Sequence, residues 1–308
     1  MKFCESFSSS WKITNGVRQS GILSPSFFNI YINDLLDRVS RSEKGCRLGI
    51  YASNIIAYAD DLVVLAPSLS ALQDLINICF NHSVNLSLNF NTTKCFCMKF
   101  MKGLNPLTNC NFIKMNDQSL KFVSEIRYLG FNLKFNMSNE LDIIEQRNRF
   151  YNTFNTILRK FYNVREFVLL KLFKTYCCQF YGLELWFGPY KCLTDLKKFA
   201  VGYHRSIKKI FRLPDRESNH LVCELAGILT FDHLSNWNKI RFIYKIFKEP
   251  PDFIEKNFNF MFLNSQLLKE VSVILCNIYQ VDDLLSNDID ALKSRVFYIH
   301  NSYNDYLF

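Results

Sequence analysis

Two adjacent carboxylates, Asp60 and Asp61, are the residues of this chain whose types and spacing most directly suggest chemistry. Apolar runs at residues 55–57 and 62–65 flank them and predict two strands joined by a tight hairpin, since Asp favours turns. Neighbouring negative charges repel unless a cation lies beside them. Mg²⁺ takes carboxylate oxygens, and paired metal ions hold the oxygens of phosphoryl transfer. Such a pair by itself is more typical of solvated turn residues, so the hypothesis of a metal site depends on its surroundings.

The segments around this hairpin predict an α+β layer, with helices on one face of an antiparallel sheet. Ser24-Pro25 is typical of a helix start, with Ser as the N-cap and Pro at the first helical position. Ser70 and Gln73 predict a capping box for a second helix. Alternating apolar residues predict strands at 86–90 and 96–100. The first helix is expected to pack into the core through apolar residues at helical spacing: Phe27, Phe28, Tyr31, Ile32, Leu35, Leu36 and Val39.

The rest of the chain is predicted to be helical. Apolar spacing indicates helices at 141–161, 164–180 and 193–212, and further helices follow residue 221 until a break at Pro250-Pro251. The first of these is expected to be marked by Leu141, Ile144, Tyr151, Leu158 and Phe161 on one face. The chain has a net charge of +9, and residues 145–215 hold fourteen bases against five acids, which is the entire surplus. A surplus confined to one region predicts a phosphate-binding surface, the alternative being an ordinary solvated helix face.

Composition narrows the class of protein. Hydrophobic residues make up 49% of the chain, with 30 Phe and 15 Tyr, which argues against disorder. No apolar run is long enough to span a membrane, and residues 1–10 lack the apolar core of a signal peptide. The 11 cysteines are scattered through apolar segments without zinc-ligand spacing. They favour reduced thiols in an intracellular protein, located in the cytoplasm, the nucleus or both.

Residues 16–35 carry a block that, together with the hairpin, resembles a known family. The block G-V-R-Q-S-G-I-L-S-P-S-F-F-N-I-Y-I-N-D-L, followed by Tyr58-Ala59-Asp60-Asp61, closely resembles the reverse transcriptases of non-LTR (LINE-type, jockey-like) retrotransposons. In that family "G-V-R-Q-G-x-x-L-S-P-x-L-F-N-x-Y-I-N-D-L" precedes "A-Y-A-D-D". Residues 86–95 resemble the next block, "L-x-x-N-x-x-K-T", and residues 127–131 resemble the "Y-L-G" block. The four blocks occur in the family's order over roughly residues 10–135.

This resemblance implies a fold and an activity. It implies a partial right-hand polymerase palm over residues 1–136, a helical, basic, thumb-like region over 137–215 and a helical C-terminal connector over 216–308. The implied activity is that of an RNA-directed DNA polymerase, a nucleotidyltransferase that extends a DNA primer along an RNA template. Its substrates would be deoxynucleoside triphosphates, its cofactor two Mg²⁺ ions, and no membrane partner is expected.

The resemblance also assigns expected roles to single residues. Asp60 and Asp61 would bind metal, and Lys94 would neutralise or protonate the departing pyrophosphate. Contacts to the nucleotide and the template fall on Arg18, Gln19, Ser20, Gly21 and Tyr58, and contacts to the primer fall on Tyr128, Leu129 and Gly130. The nucleic-acid backbone would meet bases of the helical region, namely Arg147, Arg149, Arg159, Lys160, Lys171 and Lys174.

Two departures from the family pattern bear on these expectations. Ser20 stands where the family has glycine, and serine adopts left-handed backbone angles only at a cost. The family's upstream block "F-x-D-x-x-x-A-F-D", which supplies another metal-binding aspartate, has no counterpart in residues 1–15. The chain is therefore predicted to be N-terminally truncated and to polymerise inefficiently by itself. The alternatives are a non-catalytic nucleic-acid-binding remnant and a pseudogene product.

Overall fold

The computed structural model describes residues 2–3, 6–7, 16–18, 20–48, 51–100, 113–186, 193–250, 268, 271, 273–275 and 289–304. The chain forms two compact units. The first contains Met1–Cys95 and Cys110–Lys121, and the second contains Phe96–Asn109 and Phe122–Phe308. Residues 122–136, which the sequence assigns to the palm, therefore lie in the second unit.

The described elements mix short strands with longer helices. The strands are β1 Lys2–Phe3, β2 Ser6–Phe7, β3 Arg47–Leu48, β4 Tyr51–Ala52, β5 Ile55–Tyr58, β6 Asp61–Val64, β7 Phe96–Cys97, β8 Lys114–Met115, β9 Gln118–Ser119, β10 Lys121–Phe122, β11 Glu125–Tyr128 and β12 Phe131–Lys134. The helices are α1 Ser24–Ser40, α2 Leu69–Asn85, α3 Glu140–Lys160, α4 Glu166–Leu172, α5 Leu193–Ile210, α6 Asn219–Leu225, α7 Phe231–Lys248 and α8 Ile289–Asn304.

Each sheet formed by the described strands has two strands. The pairs are β1–β2, β3–β4, β5–β6, β7–β10, β8–β9 and β11–β12. The α+β class is thus confirmed. The broad antiparallel palm sheet is not formed by the part of the chain that the structure describes.

The core of the first unit lies between α1, α2 and the β5–β6 hairpin. Leu35 and Val39 of α1 pack against Leu75 and Cys79 of α2, and all four side chains are buried. The hairpin adds partly buried apolar side chains to this cluster, namely Ile55, Leu62 and Val64. One face of the hairpin is therefore anchored on two helices.

The N-terminal half of α1 is less buried than the sequence predicts. The buried residues of the helix are Ile32, Leu35 and Val39, whereas Phe27 is 56% exposed and Tyr31 is 47% exposed. The prediction that the aromatic residues of this helix belong to the core was wrong for these two. The reason is that α2 and the hairpin cover the C-terminal half of the helix.

The start of α1 also differs from the prediction. Leu23 occupies the N-cap position, and no side chain accepts a hydrogen bond from the first turn. The hydroxyl of Ser24 instead donates to the carbonyl oxygen of Arg18 at 2.5 Å. Ser24 therefore ties the helix to the preceding turn rather than capping it.

Helix α2 is capped by a different serine from the one predicted. The hydroxyl of Ser68 accepts a hydrogen bond from the backbone N–H of Ala71 at 3.2 Å, so the capping box of Ser70 and Gln73 was wrong. The Gln73 amide instead exchanges two hydrogen bonds of 2.8 Å with the backbone of Lys114. This pair of bonds fixes β8 beside the helix.

The strand predicted at 86–90 is absent. Helix α2 ends in a turn with Ser87 in the left-handed conformation (φ 51°), and the N–H of Leu88 donates to the carbonyl of Ser83 at 2.9 Å. This arrangement satisfies the last helical carbonyls and directs the chain away from an extended path. The strand predicted at 96–100 is reduced to Phe96–Cys97.

The second unit is built on an aromatic core. Phe150 and Phe154 of α3 contact Phe173, and Phe150 also contacts Phe199 and Tyr203 of α5. A further apolar cluster joins α7 and α8. None of the helices in the described ranges is long and apolar enough to cross a membrane.

Two details of the predicted helices of this unit were wrong. Tyr151 and Phe161 are exposed, because α3 buries Ile143, Phe150, Phe154 and Ile157 instead. The predicted helix 164–180 is α4 followed by a π-helical turn over Phe173–Cys177. Burial raises the pKa of the Cys177 thiol to about 12, which keeps it protonated and unreactive at neutral pH.

Candidate active site

The two carboxylates lie at the tip of a two-residue hairpin. Strands β5 and β6 pair in antiparallel register from Ile55–Val64 to Tyr58–Asp61, so Ala59 and Asp60 form the loop. Asp61 is the first residue of β6. Both carboxylates are exposed, and Tyr58 beside them is 64% exposed. The prediction of a hairpin with both charges at its tip is confirmed.

The loop stores backbone strain. Ala59 has a φ of 53°, which is left-handed and costs a residue with a side chain about 1–2 kcal/mol. Strain of this kind is frequent at functional sites, where the surrounding structure holds it in place. Here the register of β5–β6 and the packing of the hairpin on α1 and α2 supply that support.

Asn54 holds the hairpin to the end of α1. Its side-chain amide is buried and donates to the carbonyls of Val39 at 2.9 Å and Ser42 at 2.7 Å. Its backbone carbonyl accepts from the N–H of Leu65 at 2.8 Å, which closes the hairpin. A side chain at Gly45 would collide with the Asn54 amide. This role could not be predicted from the sequence, because a polar residue before an apolar run is also typical of a loop.

The residues implied to bind nucleotide form a turn before α1. The N–H of Gly21 donates to the carbonyl of Arg18 at 3.1 Å, and Ser20 has a φ of 64°. Ser20 thus occupies the third position of a β-turn in a conformation that glycine adopts without strain. A side chain at Gly21 would lie 2.5 Å from the Ser24 Oγ. Gln19 lies outside the described residues.

Lys94 lies at the end of a short helical turn. Thr92–Lys94 form one turn of 3₁₀ helix, capped by the Asn91 side chain, which accepts from the N–H of Thr93 at 3.1 Å. The Lys94 side chain is exposed. The asparagine of the "L-x-x-N-x-x-K-T" block thus has a structural role, because it fixes the turn that carries the lysine.

The "Y-L-G" residues form a second two-residue hairpin, in the second unit. Tyr128 pairs with Phe131, and the loop residues Leu129 and Gly130 have φ values of 45° and 85°. Two positive φ values define a type I′ turn, which matches the twist of the flanking strands. Leu129 bears the cost of a left-handed conformation that Gly130 avoids.

Tyr181 and Gly182 brace this second hairpin. The Tyr181 hydroxyl donates to the carbonyl of Leu129 at 2.9 Å, and its ring stacks on Phe131 with centroids 4.6 Å apart. Gly182, with a φ of 82°, lies so close that an added Cβ would be 2.6 Å from Phe131 Cε1. The sequence marks Gly182 only as a helix end, and the contact with residue 131 could not be predicted from spacing.

The six bases expected to meet a nucleic-acid backbone differ in availability. Arg149, Arg159, Lys160 and Lys171 are exposed. Arg147 is 19% exposed, and its guanidinium is 3.0 Å from the Asp195 carboxylate. Lys174 donates to the carbonyl of Gly227 at 2.8 Å. Lys174 is also exposed, so its ammonium group reaches the Gly227 carbonyl at the surface, whereas the Arg147 guanidinium is largely buried beside Asp195. All six contacts with nucleic acid stay predictions, and the four other bases are the more accessible candidates.

The metal hypothesis can be tested against the donor atoms present. Asp60 and Asp61 offer carboxylate oxygens, which Mg²⁺ prefers. Across the described residues no group of three or more His, Cys, Asp or Glu side chains could hold a metal ion. The pair therefore fits part of a metal site and leaves other coordination positions to be filled.

Comparison with known proteins agrees with the motifs. Residues 3–133 match the family described as reverse transcriptase (RNA-dependent DNA polymerase). Residues 3–133 belong to the reverse transcriptase family. A 125-residue part of the chain is 34% identical to the retrovirus-related Pol polyprotein from the type-2 retrotransposable element R2DM of Drosophila melanogaster.

That match covers 38% of this chain and 12% of the Drosophila polyprotein, so the chain spans a small part of the relative's length. It confirms the predicted affiliation with non-LTR reverse transcriptases. The narrower resemblance to jockey-like elements stays a prediction.

Proposed function

We propose that this chain is part of an RNA-directed DNA polymerase of a non-LTR retrotransposon and has little polymerase activity by itself. The observation that carries the proposal is the Asp60-Asp61 pair at the tip of a braced two-residue hairpin, within a segment that matches the reverse transcriptase family. Metal-dependent phosphoryl transfer needs carboxylates that metal ions and substrate can reach and that are held in a fixed position. Both carboxylates are exposed at the tip of the hairpin.

In this proposal Asp60 and Asp61 hold divalent metal, with Mg²⁺ as the expected ion. When bound, two such ions activate the primer 3′-oxygen and hold the triphosphate. The two carboxylates supply two negative charges against four positive ones, so they need the substrate phosphates or a further carboxylate to bind metal tightly. For this reason we expect weak metal binding and little polymerisation by the 308 residues alone.

The remaining residues of the first unit would act on the nucleotide and the template. The turn that contains Arg18, Ser20 and Gly21 would place backbone groups close to the incoming nucleotide, and Gln19 is proposed to contact the nucleotide or the template as well. Lys94, exposed at the end of its helical turn, would meet the pyrophosphate as it departs. Tyr58, exposed beside the carboxylates, would pack near the primer terminus.

The second unit would hold the primer and the duplex. The turn of Tyr128, Leu129 and Gly130 would contact the primer end. Four exposed bases would contact phosphates without reading sequence: Arg149, Arg159, Lys160 and Lys171. We propose accordingly a partial palm, a thumb-like helical region and a C-terminal connector, in a protein that acts inside the cell.

Metal binding gives a direct test, because Asp117 offers a matched control. Asp117 also lies in the two-residue loop of a hairpin of the first unit, β8–β9, but it has no acidic neighbour. Broadening of amide resonances by Mn²⁺ in the presence of primer–template and deoxynucleoside triphosphate is expected near Asp60 and Asp61. Asp60→Asn should remove the broadening at the β5–β6 tip, and Asp117→Asn should leave it unchanged. Equal broadening in all three proteins would contradict the proposal.

Primer extension tests the activity itself. With Mg²⁺, oligo(dT) and a poly(rA) template, the 308-residue chain is expected to give at most trace synthesis, which Asp60→Ala removes. Efficient synthesis that Asp60→Ala abolishes would support the polymerase function and overturn the expectation of weak activity. Synthesis that survives Asp60→Ala would contradict the assignment of this residue.

The absence of a third metal-ligating side chain beside the pair, within the described residues, favours one alternative. A non-catalytic nucleic-acid-binding protein would bind primer–template in a salt-sensitive manner that survives Asp60→Ala. The same binding would fall when Arg149, Arg159, Lys160 and Lys171 are neutralised together. Mn²⁺ broadening at the hairpin tip distinguishes the two functions, since the alternative needs no metal.

A further inference from the structure

A basic cavity lies between α3 and α5, inside the second unit. Its volume is about 630 Å³, and its lining includes Arg205, Lys209, Arg212 and Asp215. None of these residues is among those expected from the family blocks. Three bases against one acid leave the lining with two net positive charges.

The positive charges of the three bases repel one another. Arg205 and Lys209 are four residues apart on α5, and Arg212 follows the helix by two residues, so their charges lie on the same side. Like charges at this spacing destabilise a helix. The Asp215 carboxylate lies 3.2 Å from Arg205 and offsets one charge. Lys208, which is buried, donates to the Asp215 carbonyl at 2.8 Å and adds another positive charge nearby.

The backbone at Arg212 is strained. Arg212 has a φ of 54°, and the helix end is closed by the N–H of Leu213, which donates to the carbonyl of Lys208 at 2.9 Å. This is the position after a helix that glycine occupies most readily. An arginine there makes the fold less stable than a glycine would. Residues in such conformations are frequent at functional sites.

The glycine that lines the cavity, Gly202, also makes the fold less stable. Gly202 lies inside α5, where glycine is unfavourable relative to alanine. A side chain at this position would collide with the Tyr151 hydroxyl, which packs against α5 at Gly202. Gly202 therefore allows Tyr151 to line the cavity. The hydroxyl adds a neutral hydrogen-bonding group beside the three bases.

We propose that this cavity binds a phosphate group. Arginine guanidinium groups bind phosphate through paired N–H donors, and lysine supplies a compact charge, so Arg205, Arg212 and Lys209 together match a phosphate dianion or phosphodiesters. The phosphate belongs either to a nucleic-acid backbone or to a free phosphorylated molecule. The first source rests on the proposed function, and the second does not.

Binding of pyrophosphate and of a short RNA–DNA duplex to the full 308-residue chain tests the proposal. The titrations omit Mg²⁺ and use an Asp60→Asn, Asp61→Asn background, so failure of the metal site cannot affect them. Lys209→Gln is expected to weaken binding about tenfold and to lower the salt dependence of duplex binding by about one charge. The matched control is Lys197→Gln, an exposed lysine of α5 outside the cavity, which should change affinity far less.

Arg212→Gly provides an independent second variant. It should weaken phosphate binding while raising the melting temperature by roughly 2–4 °C, because it removes both the charge and the left-handed strain. Loss of pyrophosphate and duplex binding together supports a phosphate site open to both sources. Loss of duplex binding alone assigns the site to the nucleic-acid backbone, and loss of pyrophosphate binding alone assigns it to a free molecule. Affinities for both ligands that match those of Lys197→Gln overturn the proposal.

Discussion

Replacement of Gly182 by alanine should damage the hairpin that is proposed to hold the primer end. Gly182 has a φ of 82°, and an added Cβ would lie 2.6 Å from Phe131 Cε1, a distance that real Cβ atoms do not show. Gly227, in the same unit, is the matched control, because its φ is 58° and the nearest atom to an added Cβ is Lys174 Nζ at 3.9 Å. The two glycines thus share the backbone conformation and differ in the space around them.

The expected loss of stability is the sum of the cost of a left-handed alanine and the cost of the steric overlap. A left-handed alanine costs about 1–2 kcal/mol, so Gly227→Ala should lower the free energy of unfolding by about that amount. Gly182→Ala adds overpacking against Phe131, about 1–3 kcal/mol, for a total of roughly 2–5 kcal/mol. The gain from a less flexible unfolded chain applies to both variants and cancels in the comparison.

Urea unfolding of the two variants measures the difference directly, and a double-mutant cycle assigns it. Phe131→Leu removes the ring carbon that Gly182→Ala would strike, so the double variant should lose less stability than the sum of the single changes. Equal costs at Gly182 and Gly227, or strictly additive costs in the cycle, would refute the contact between residues 182 and 131.

Three further predictions concern strain, protonation and bracing. Ser20→Gly should stabilise the chain by up to about 1 kcal/mol in thermal unfolding, since it relieves a left-handed serine, and no gain would contradict the turn geometry. His204 has a pKa lowered by burial, so the unfolded chain takes up the proton first as pH falls below about 6.5, and the unfolding free energy should then decline. His204→Gln should flatten that decline between pH 7.5 and 5.5, and an unchanged slope would exclude this histidine as its cause. Tyr181→Phe removes the hydrogen bond to Leu129, so hydrogen exchange should quicken at residues 125–134, whereas Tyr162→Phe, at an exposed tyrosine, should leave it unchanged.

Local patterns predicted the elements well where a short segment determines its own structure. The β5–β6 hairpin, with apolar runs around Asp60-Asp61, formed as expected. Helix α3 appeared within a residue of its predicted bounds. In both cases the apolar period and the turn chemistry lie within one segment, so no distant partner has to be known.

Predictions failed where a distant contact decided between two local options. Ser68 caps α2 instead of the predicted Ser70, and the Gln73 amide bonds to the backbone of Lys114, 41 residues further on, instead of completing a capping box. Phe27 and Tyr31 follow a helical apolar period, but α2 and the hairpin cover only the other half of α1.

In the candidate site, too, the local motifs were predicted and the distant contacts were not. The family blocks pointed to Asp60 and Asp61, and the structure brings both to one exposed tip. The residues that hold the two hairpins in place were not predicted. Asn54 and Tyr181 donate hydrogen bonds to the carbonyls of Val39 and Leu129, and no sequence pattern relates these residues to their partners. The contact between Arg147 and Asp195 was not predicted, because the two residues are 48 positions apart in the sequence.

The two-residue loops have a consequence for gene variation in this lineage. Side chains alternate between the two faces of a strand. One inserted or deleted codon within residues 58–61 would therefore shift the pairing of β5 and β6 by one residue, and each side chain of β6 would move to the opposite face of the hairpin. The same holds for residues 128–131, where Phe131 must meet Tyr181. Length differences among copies of this gene should therefore be tolerated in connecting segments and eliminated from these two loops for as long as the encoded protein is under selection.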